Sequence, residues 1–103
     1  MIHVVAIITA HPGQRGRILE AFRANVPAVH AEAGCVEYGA TIDAAGMPAS
    51  PGSVGPDTFV VIEKWASLEA LQAHAVAPHM KAYAAGVKAL TAARVIHVLE
   101  PLA

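Results

Sequence analysis

The chain has 103 residues, of which 55% are apolar and 15% are charged, and its formal net charge is −1 at pH 7. This length predicts one domain, residues 1–103, and the nearly neutral charge without a Lys/Arg cluster argues against a nucleic-acid partner. The high apolar content indicates that another subunit covers part of the surface, so we expect a homo-oligomer.

The sequence carries no targeting signal. The apolar run at residues 2–10 has no basic leader and is too short to cross a bilayer, so we expect a cytoplasmic protein without a membrane partner. Cys35 is the one cysteine, which excludes an internal disulfide. We interpret it as a small buried apolar side chain.

The first two predicted elements are a strand and a helix. Residues 2–9, IHVVAIIT, are β-rich and apolar on both faces, so this strand needs cover on both sides. After the turn at His11-Pro12-Gly13, apolar residues recur at helical spacing until about residue 31. Pro27 removes a backbone hydrogen bond within this helix, which predicts a kink or a break near Asn25. The apolar positions of the helix are Ile18, Phe22, Val26 and Val29.

A second strand and a long loop follow. Residues 35–42, CVEYGATI, alternate as a strand does, with Tyr38 and Ile42 on one face. Residues 44–57 are rich in Gly, Pro and Ser and contain no aromatic anchor. We therefore predict a flexible loop there rather than a lid.

The stretch from Phe59 to Tyr83 holds most of the candidate chemistry. As a strand, residues 59–65 put Glu63 and Trp65 on one face together with Phe59 and Val61. A carboxylate on an apolar face is costly to desolvate, which predicts a raised pKa for Glu63. The alternative is that Glu63 is a salt-bridged or solvated strand residue and that Trp65 anchors the core.

Two helices and a last strand complete the chain. Ser67 is placed to cap a short helix that carries His74, and Pro78 suits the first position of the next helix. His74 and His79 lie five positions apart across Pro78, so even a continuous helix would not put them on one face, and they are a weak metal pair. Residues 95–100, VIHVLE, form the last predicted strand. The helix that begins at Pro78 has an apolar stripe typical of core packing, which comprises Met80, Tyr83, Val87 and Leu90.

The order of these elements predicts the fold. Strand, helix, strand, strand, helix pair and strand together favour an antiparallel sheet with helices on one face, a ferredoxin-like α+β plait. The bare sheet face would pack against the same face of a second copy, giving a dimeric α+β barrel with an enclosed cavity. We expect the functional site in that cavity.

Two segments carry a resemblance to a known family. They are AEAGCVEYGATID, residues 31–43, and FVVIEKWASLEALQAHAVAPHM, residues 59–80. The features within them are Glu32, Gly34-Cys35, Tyr38, Glu63 two residues before Trp65, His74 and Pro78-His79-Met80. With these features, nearly the whole chain resembles the antibiotic biosynthesis monooxygenase domain family.

The resemblance implies a fold and a chemistry. Members of that family are dimeric ferredoxin-like α+β barrels, and some oxidise quinol or polyphenolic compounds with molecular oxygen and no flavin, haem or metal. For this chain it implies a homodimer, no cofactor and a small aromatic or quinol-like substrate. Another branch degrades haem, but its first-strand Asn and its haem-ligating His align with Ala6 and Ala84. Haem degradation is therefore not expected.

Cofactor-free oxygenation needs a base in a dry pocket. The base deprotonates an electron-rich enol or phenol so that the anion can pass an electron to oxygen. We predict His74 as this base, with Glu63 and Trp65 as further catalytic residues, because an imidazole titrates near neutral pH. His79 is the alternative base. The predicted substrate-binding residues are Tyr38, His79, Met80 and Tyr83.

Two other functions remain open at this point. A non-catalytic dimeric module would bind a small apolar ligand without consuming oxygen. An isomerase or degradation enzyme for a small carbonyl metabolite would need the same base but no oxygen. The sequence contains no Gly-rich phosphate loop, Cys/His metal pattern or nucleophile elbow, which is consistent with cofactor-free chemistry.

Overall fold

A computed structural model describes residues 1–102, in which four strands and three helices follow one another as the sequence predicts. The strands are β1 (Ile2–Ala10), β2 (Cys35–Thr41), β3 (Thr58–Trp65) and β4 (Thr91–Leu99). The helices are α1 (Arg15–His30), α2 (Leu68–Ala75) and α3 (Pro78–Val87), and a 3-10 turn, Lys88–Leu90, leads into β4. Among these residues, no helix combines the length and the apolar character needed to cross a membrane.

The strands form one antiparallel sheet in the order β2-β3-β1-β4. The first and third strands are therefore central, and the second and fourth lie at the edges. This order, with both helical connections packed on the sheet, is the ferredoxin-like plait, so the predicted α+β fold is confirmed.

The core lies between one face of the sheet and the helices. In β3, residues alternate strictly between buried and half-buried, and Phe59 and Trp65 are completely buried. Each large apolar side chain removed from water in this way contributes about 1.5–3 kcal/mol. The alternation predicted for residues 59–65 is confirmed. From the other elements the core takes Val4, Ala6, Ala10, Ile18, Phe22, Val29, Tyr38 and Val87.

The opposite face of the sheet has no helix over it in residues 1–102. Val5 and Ile7 of β1 lie there beside Val60 and Ile62 of β3, and all four are only half-buried. The edge strand β4 is exposed on both of its faces. Its apolar residues with about half of their surface in contact with solvent are Val95, Ile96, Val98 and Leu99.

The break predicted near Asn25 and the predicted start of the last strand are wrong for identifiable reasons, while a kink near Asn25 stays a prediction. Helix α1 continues through Pro27 without a break near Asn25, and the Ala31 N–H donates to the Pro27 carbonyl at 3.1 Å. Pro27 and Arg23 are both exposed, so water can satisfy the carbonyl that proline leaves free. Strand β4 begins at Thr91 instead of residue 95, because residues 91–94 pair with the end of β1 despite their weak β-propensity.

The loop between β2 and β3 is held at its base. The Asp43 carboxylate accepts hydrogen bonds from the Val54 and Gly55 N–H groups, each at 2.9 Å, and these bonds lower the pKa of Asp43. Arg15 donates to the carbonyls of Gly55 and Thr58 at 3.1 Å. The two ends of the loop are thus fixed to the body of the protein, while the flexibility of residues 44–57 stays a prediction.

Candidate active site

Glu63 and Trp65 are paired beneath the helices. Both point to the covered face of β3, where Trp65 Nε1 donates to Glu63 Oε1 at 2.9 Å. Burial raises the pKa of Glu63 above its ordinary value of 4.5, although the Trp65 hydrogen bond and the nearby His74 oppose the shift. Glu63 is therefore a buried carboxyl with one neutral donor, which agrees with the desolvation predicted for it.

His74 is held in the last turn of α2. The Ser67 hydroxyl accepts a hydrogen bond from the Ala70 N–H at 3.1 Å, so the predicted cap at the start of this helix is confirmed. The His74 ring packs against two aromatic rings, with its centroid 4.5 Å from that of Trp65 and 5.5 Å from that of Tyr38. Only 5% of His74 is exposed, so its ring is held by the surrounding packing.

Glu32 joins both histidines. Its Oε2 atom lies 2.8 Å from His74 Nδ1 and 3.0 Å from His79 Nε2. His74 Nε2 in turn lies 4.0 Å from Glu63 Oε1. Glu32, Glu63, His74 and His79 thus form one set of contacts, which we term the carboxylate–histidine cluster.

The meeting of the two histidines was not expected from their spacing. They do not share a helical face, but α2 ends at Ala75 and α3 begins at Pro78, so each ring approaches Glu32 from its own helix. Glu32 was noted within the family resemblance but was not predicted as a site residue. No periodic pattern links it to residues more than 40 positions away, so the family motif was the one signal for it.

Gly34 brings Glu32 against α2. Its φ of +82° lies in the left-handed region, and a Cβ there would stand 2.6 Å from the Ala70 Cβ. The Gly34 carbonyl also accepts a hydrogen bond from the Ala66 N–H at 2.8 Å. A residue without a side chain is therefore required where the turn after α1 meets the start of α2.

The position of the cluster corrects the predicted location of the site. We expected the site in a cavity between the bare sheet faces of two copies. Glu63 and Trp65 instead lie on the face that the helices cover, opposite to Val60 and Ile62, and His74 of α2 packs against Trp65 there. Glu63 and Trp65 point there because residues 59, 61, 63 and 65 share the face that packs against α1 and α2.

Tyr38 and Cys35 border the cluster from β2. Burial, reinforced by the Glu63 carboxylate, raises the pKa of Tyr38, and burial with Glu32 and Glu63 raises the pKa of the Cys35 thiol. Both groups therefore stay protonated at neutral pH. Cys35 is half-buried, whereas the sequence predicted a buried side chain.

Tyr38 also lines a cleft of about 290 Å³ between α1 and β2. Its ring is stacked on that of Phe22, with centroids 5.1 Å apart and planes inclined by 12°. No member of the carboxylate–histidine cluster is among the residues that line the cleft. The cleft is therefore separate from the candidate acid–base groups.

Met80 and Tyr83 lie in the packing between α1 and α3. The Asn25 side-chain amide donates to the Met80 sulfur at 3.3 Å, and the Tyr83 ring meets Phe22 edge-on at 6.2 Å. Burial raises the pKa of Tyr83 to about 12. Both belong to the apolar stripe predicted for α3, and their substrate-binding role stays a prediction.

Within residues 1–102, no group of three or more His, Cys, Asp or Glu side chains is arranged to hold a metal ion.

Fold and site together define a small ferredoxin-like α+β protein with an acid–base cluster between its sheet and its helices. The chain belongs to the antibiotic biosynthesis monooxygenase family, whose model matches residues 1–86. It is similar to the protein named "Probable quinol monooxygenase YgiN" of Escherichia coli K12, with 42% identity over 104 residues and 98% of each chain covered. The family resemblance noted in the sequence is thereby confirmed.

Solved structures give the same result for the fold. PA3566 from Pseudomonas aeruginosa is 30% identical, with a TM-score of 0.81 over 99% of this chain and 94% of that one. Rv0793 from Mycobacterium tuberculosis is 27% identical, with a TM-score of 0.80 over 99% of this chain and 95% of that one. The plait is thus shared along nearly the full length of all three chains.

Proposed function

We propose that the protein is a cofactor-independent monooxygenase that oxidises a small quinol or polyphenol with molecular oxygen. The observation that carries the proposal is the carboxylate–histidine cluster, which joins two imidazoles and two carboxyl groups and contacts the buried Trp65 through Glu63 and His74. Such a cluster can accept a proton in surroundings from which water is largely excluded. Family membership and the 42% identity to a relative named as a quinol monooxygenase support this substrate class.

The proposed reaction balances without a further reductant. An imidazole of the cluster takes the proton of a substrate hydroxyl, and the resulting anion passes an electron to oxygen. The substrate radical and superoxide then combine to a peroxide anion, which takes the proton back from the imidazolium. The resulting hydroperoxide loses water. One oxygen atom enters the product as a new carbonyl or hydroxyl group, the other leaves as water, and the substrate supplies all four electrons.

A homodimer is part of the same proposal. The bare face carries Val5, Ile7, Val60 and Ile62 in its centre, and β4 adds half-exposed apolar residues at its edge. Leaving this patch in water is unfavourable, and a second copy presenting the same face would bury it by two-fold symmetry. The dimer interface would then lie on the bare face of the sheet, opposite to the carboxylate–histidine cluster.

Oxygen consumption tests the function directly. Purified protein is mixed with a reduced naphthoquinone or a naphthol, and the uptake of oxygen above uncatalysed autoxidation is recorded. A variant with both His74→Gln and His79→Gln should lose this uptake, whereas His11→Gln, at an exposed turn, should retain it. Equal uptake by wild-type protein and the double variant would contradict the proposal.

A second candidate function follows from the composition of the cluster. Its members are acid–base groups, which would serve equally to isomerise or break down a small carbonyl compound by proton transfer alone. Turnover of the same substrate under strictly anaerobic conditions would favour this alternative. Binding of aromatic compounds without any turnover would instead favour a non-catalytic binding module.

A further inference from the structure

The two histidines of the cluster differ in how accessible they are to a substrate. The side chain of His74 is 7% exposed, that of Glu32 14% and that of His79 29%. Exposure therefore increases from the interior, at His74, through the carboxylate to the first turn of α3. A substrate that approaches from solvent meets His79 before His74, because the His74 side chain is the less exposed of the two.

Glu32 also determines where the protons of both imidazoles lie. A carboxylate oxygen has no proton to donate, so each ring nitrogen that contacts it must carry one. His74 then has its proton on Nδ1 and His79 has its proton on Nε2. The nitrogens left to accept a proton are Nε2 of His74, which faces Glu63 inside the protein, and Nδ1 of His79.

From these contacts we infer that His79, oriented by Glu32, takes the proton of the substrate, and that His74 anchors Glu32 from the buried side. This inference rests on the proposed function for the identity of the reaction, and it moves the base from His74 to His79. Glu32 is a positioning residue in this arrangement. It fixes the tautomer of His79 and stabilises the imidazolium that forms when Nδ1 accepts the proton.

The start of α3 favours the same site for a substrate anion. His79 is the second residue of a ten-residue helix, and the Ala77 cap supplies no side-chain hydrogen bond. The partial positive charge of this helix end would stabilise a phenolate that forms beside the His79 ring. The proton thus moves from the substrate oxygen to His79 Nδ1, and the negative charge stays on the substrate until oxygen accepts an electron.

Kinetics of single variants test the assignment of the base. With a reduced naphthoquinone as substrate, His79→Gln should lower kcat by about 100-fold or more, the range typical of a lost general base. His74→Gln and Glu32→Gln should lower kcat by smaller factors with little change in KM, and Glu32→Asp should recover part of the loss. Circular dichroism checks that each variant is folded.

Added imidazole provides a second kinetic measure. It should restore turnover to His79→Ala, whose vacated site is open to solvent, and not to His74→Ala. A His79→Gln variant that turns over like wild type, while His74→Gln is inactive, would overturn the inference and leave the proposed oxygenase intact.

Nitrogen NMR of the histidine side chains tests the Glu32 part without turnover. At alkaline pH the wild-type protein should show His74 protonated at Nδ1 and His79 protonated at Nε2, and Glu32→Ala should give a mixture of tautomers at both. Unchanged tautomers in Glu32→Ala would overturn the positioning role. If wild-type protein consumes no oxygen, the proposed function fails and the assignment of His79 as its base fails with it, while the spectra still decide what Glu32 does.

Discussion

The Glu32 carboxylate lies 2.8 Å from His74 Nδ1, although 42 positions separate the two residues in the sequence. Glu32 follows α1 in the turn that leads into β2, whereas His74 lies at the end of α2. The contact exists because that turn packs against α2 at Gly34 and Ala70. The acid–base pair is therefore assembled from the turn between α1 and β2 and from helix α2. Its geometry depends on how closely the backbone of this turn approaches that helix.

Replacing Gly34 with alanine should destabilise the protein. The new Cβ would meet the Ala70 Cβ at 2.6 Å, and a φ of +82° is unfavourable for alanine. We expect a loss of about 1–3 kcal/mol in the free energy of unfolding, measured with urea, because crowding and backbone strain add. The turn that carries Glu32 should also shift, so catalytic activity should fall.

Gly86→Ala is the matched control for this change. Gly86 lies in α3, and a Cβ there would meet no atom within 4 Å. Alanine has the higher helix propensity, so this variant should be as stable as wild type or more stable by up to about 1 kcal/mol. Equal stability of Gly34→Ala and wild type would contradict the close approach.

Glu63 should make stability depend on pH. Its pKa is raised in the folded protein above the ordinary 4.5, so the folded state holds this proton more strongly than the unfolded state does. The stabilisation that this proton contributes to the folded state is fully present below pH 4.5. It is lost as the pH rises through the raised pKa of Glu63. The Glu63→Gln variant cannot ionise and should lack this decrease.

Urea midpoints measured across the acid to neutral range give the comparison. As the pH rises, the unfolding free energy of wild type should decrease relative to that of Glu63→Gln. Glu20→Gln, at an exposed position of α1, should follow the wild-type curve. A constant difference between wild type and Glu63→Gln would show that Glu63 titrates alike in both states.

Loss of the Ser67 cap should weaken α2 and the position of His74. The Ser67 hydroxyl satisfies the Ala70 N–H at the start of this eight-residue helix. Ser67→Ala should cost about 1 kcal/mol of unfolding free energy, whereas Ser67→Asp should retain most of the stability because aspartate also caps. Thermal unfolding of both variants decides, and a stable Ser67→Ala would show that tertiary packing alone holds α2.

A charge in the bare sheet face should separate the proposed dimer. Ile62 lies in the middle of that face and is paired with Val5 on β1 and with Gly39 on β2. Ile62→Asp would bring a carboxylate into an apolar interface, so sedimentation should report a monomer at concentrations where wild type is dimeric. The control is Met47→Asp in the loop, where the side chain is already 74% exposed. A wild-type protein that sediments as a monomer would refute the dimer itself.

Local patterns were sufficient to predict the elements and the plait. Alternation identified the buried face of β3, Ser67 and Pro78 marked the starts of α2 and α3, and helical spacing gave the core positions of α1. Each of these signals concerns residues that are close in sequence. The weak strand signal of residues 91–94 was overridden by pairing with β1, which only the assembled sheet provides.

Most members of the candidate site were predictable from the sequence, but Glu32 and the arrangement of the cluster were not. Glu63, Trp65 and His74 were named from the sequence, and the structure brings all three together. Their location was wrong because alternation defines two faces of a strand without showing which one the helices cover. The link through Glu32 depends on the approach of Gly34 to Ala70, a distance that no repeating pattern encodes.

The two residues between α2 and α3, Val76 and Ala77, set the relative rotation of the two histidines. Val76 is 62% exposed, so many side chains would be accepted there. One residue more or fewer would turn the following helix by about 100° about its axis and carry the His79 ring away from Glu32. This linker should therefore tolerate changes of composition and resist changes of length, and relatives with a longer linker should have lost the shared carboxylate.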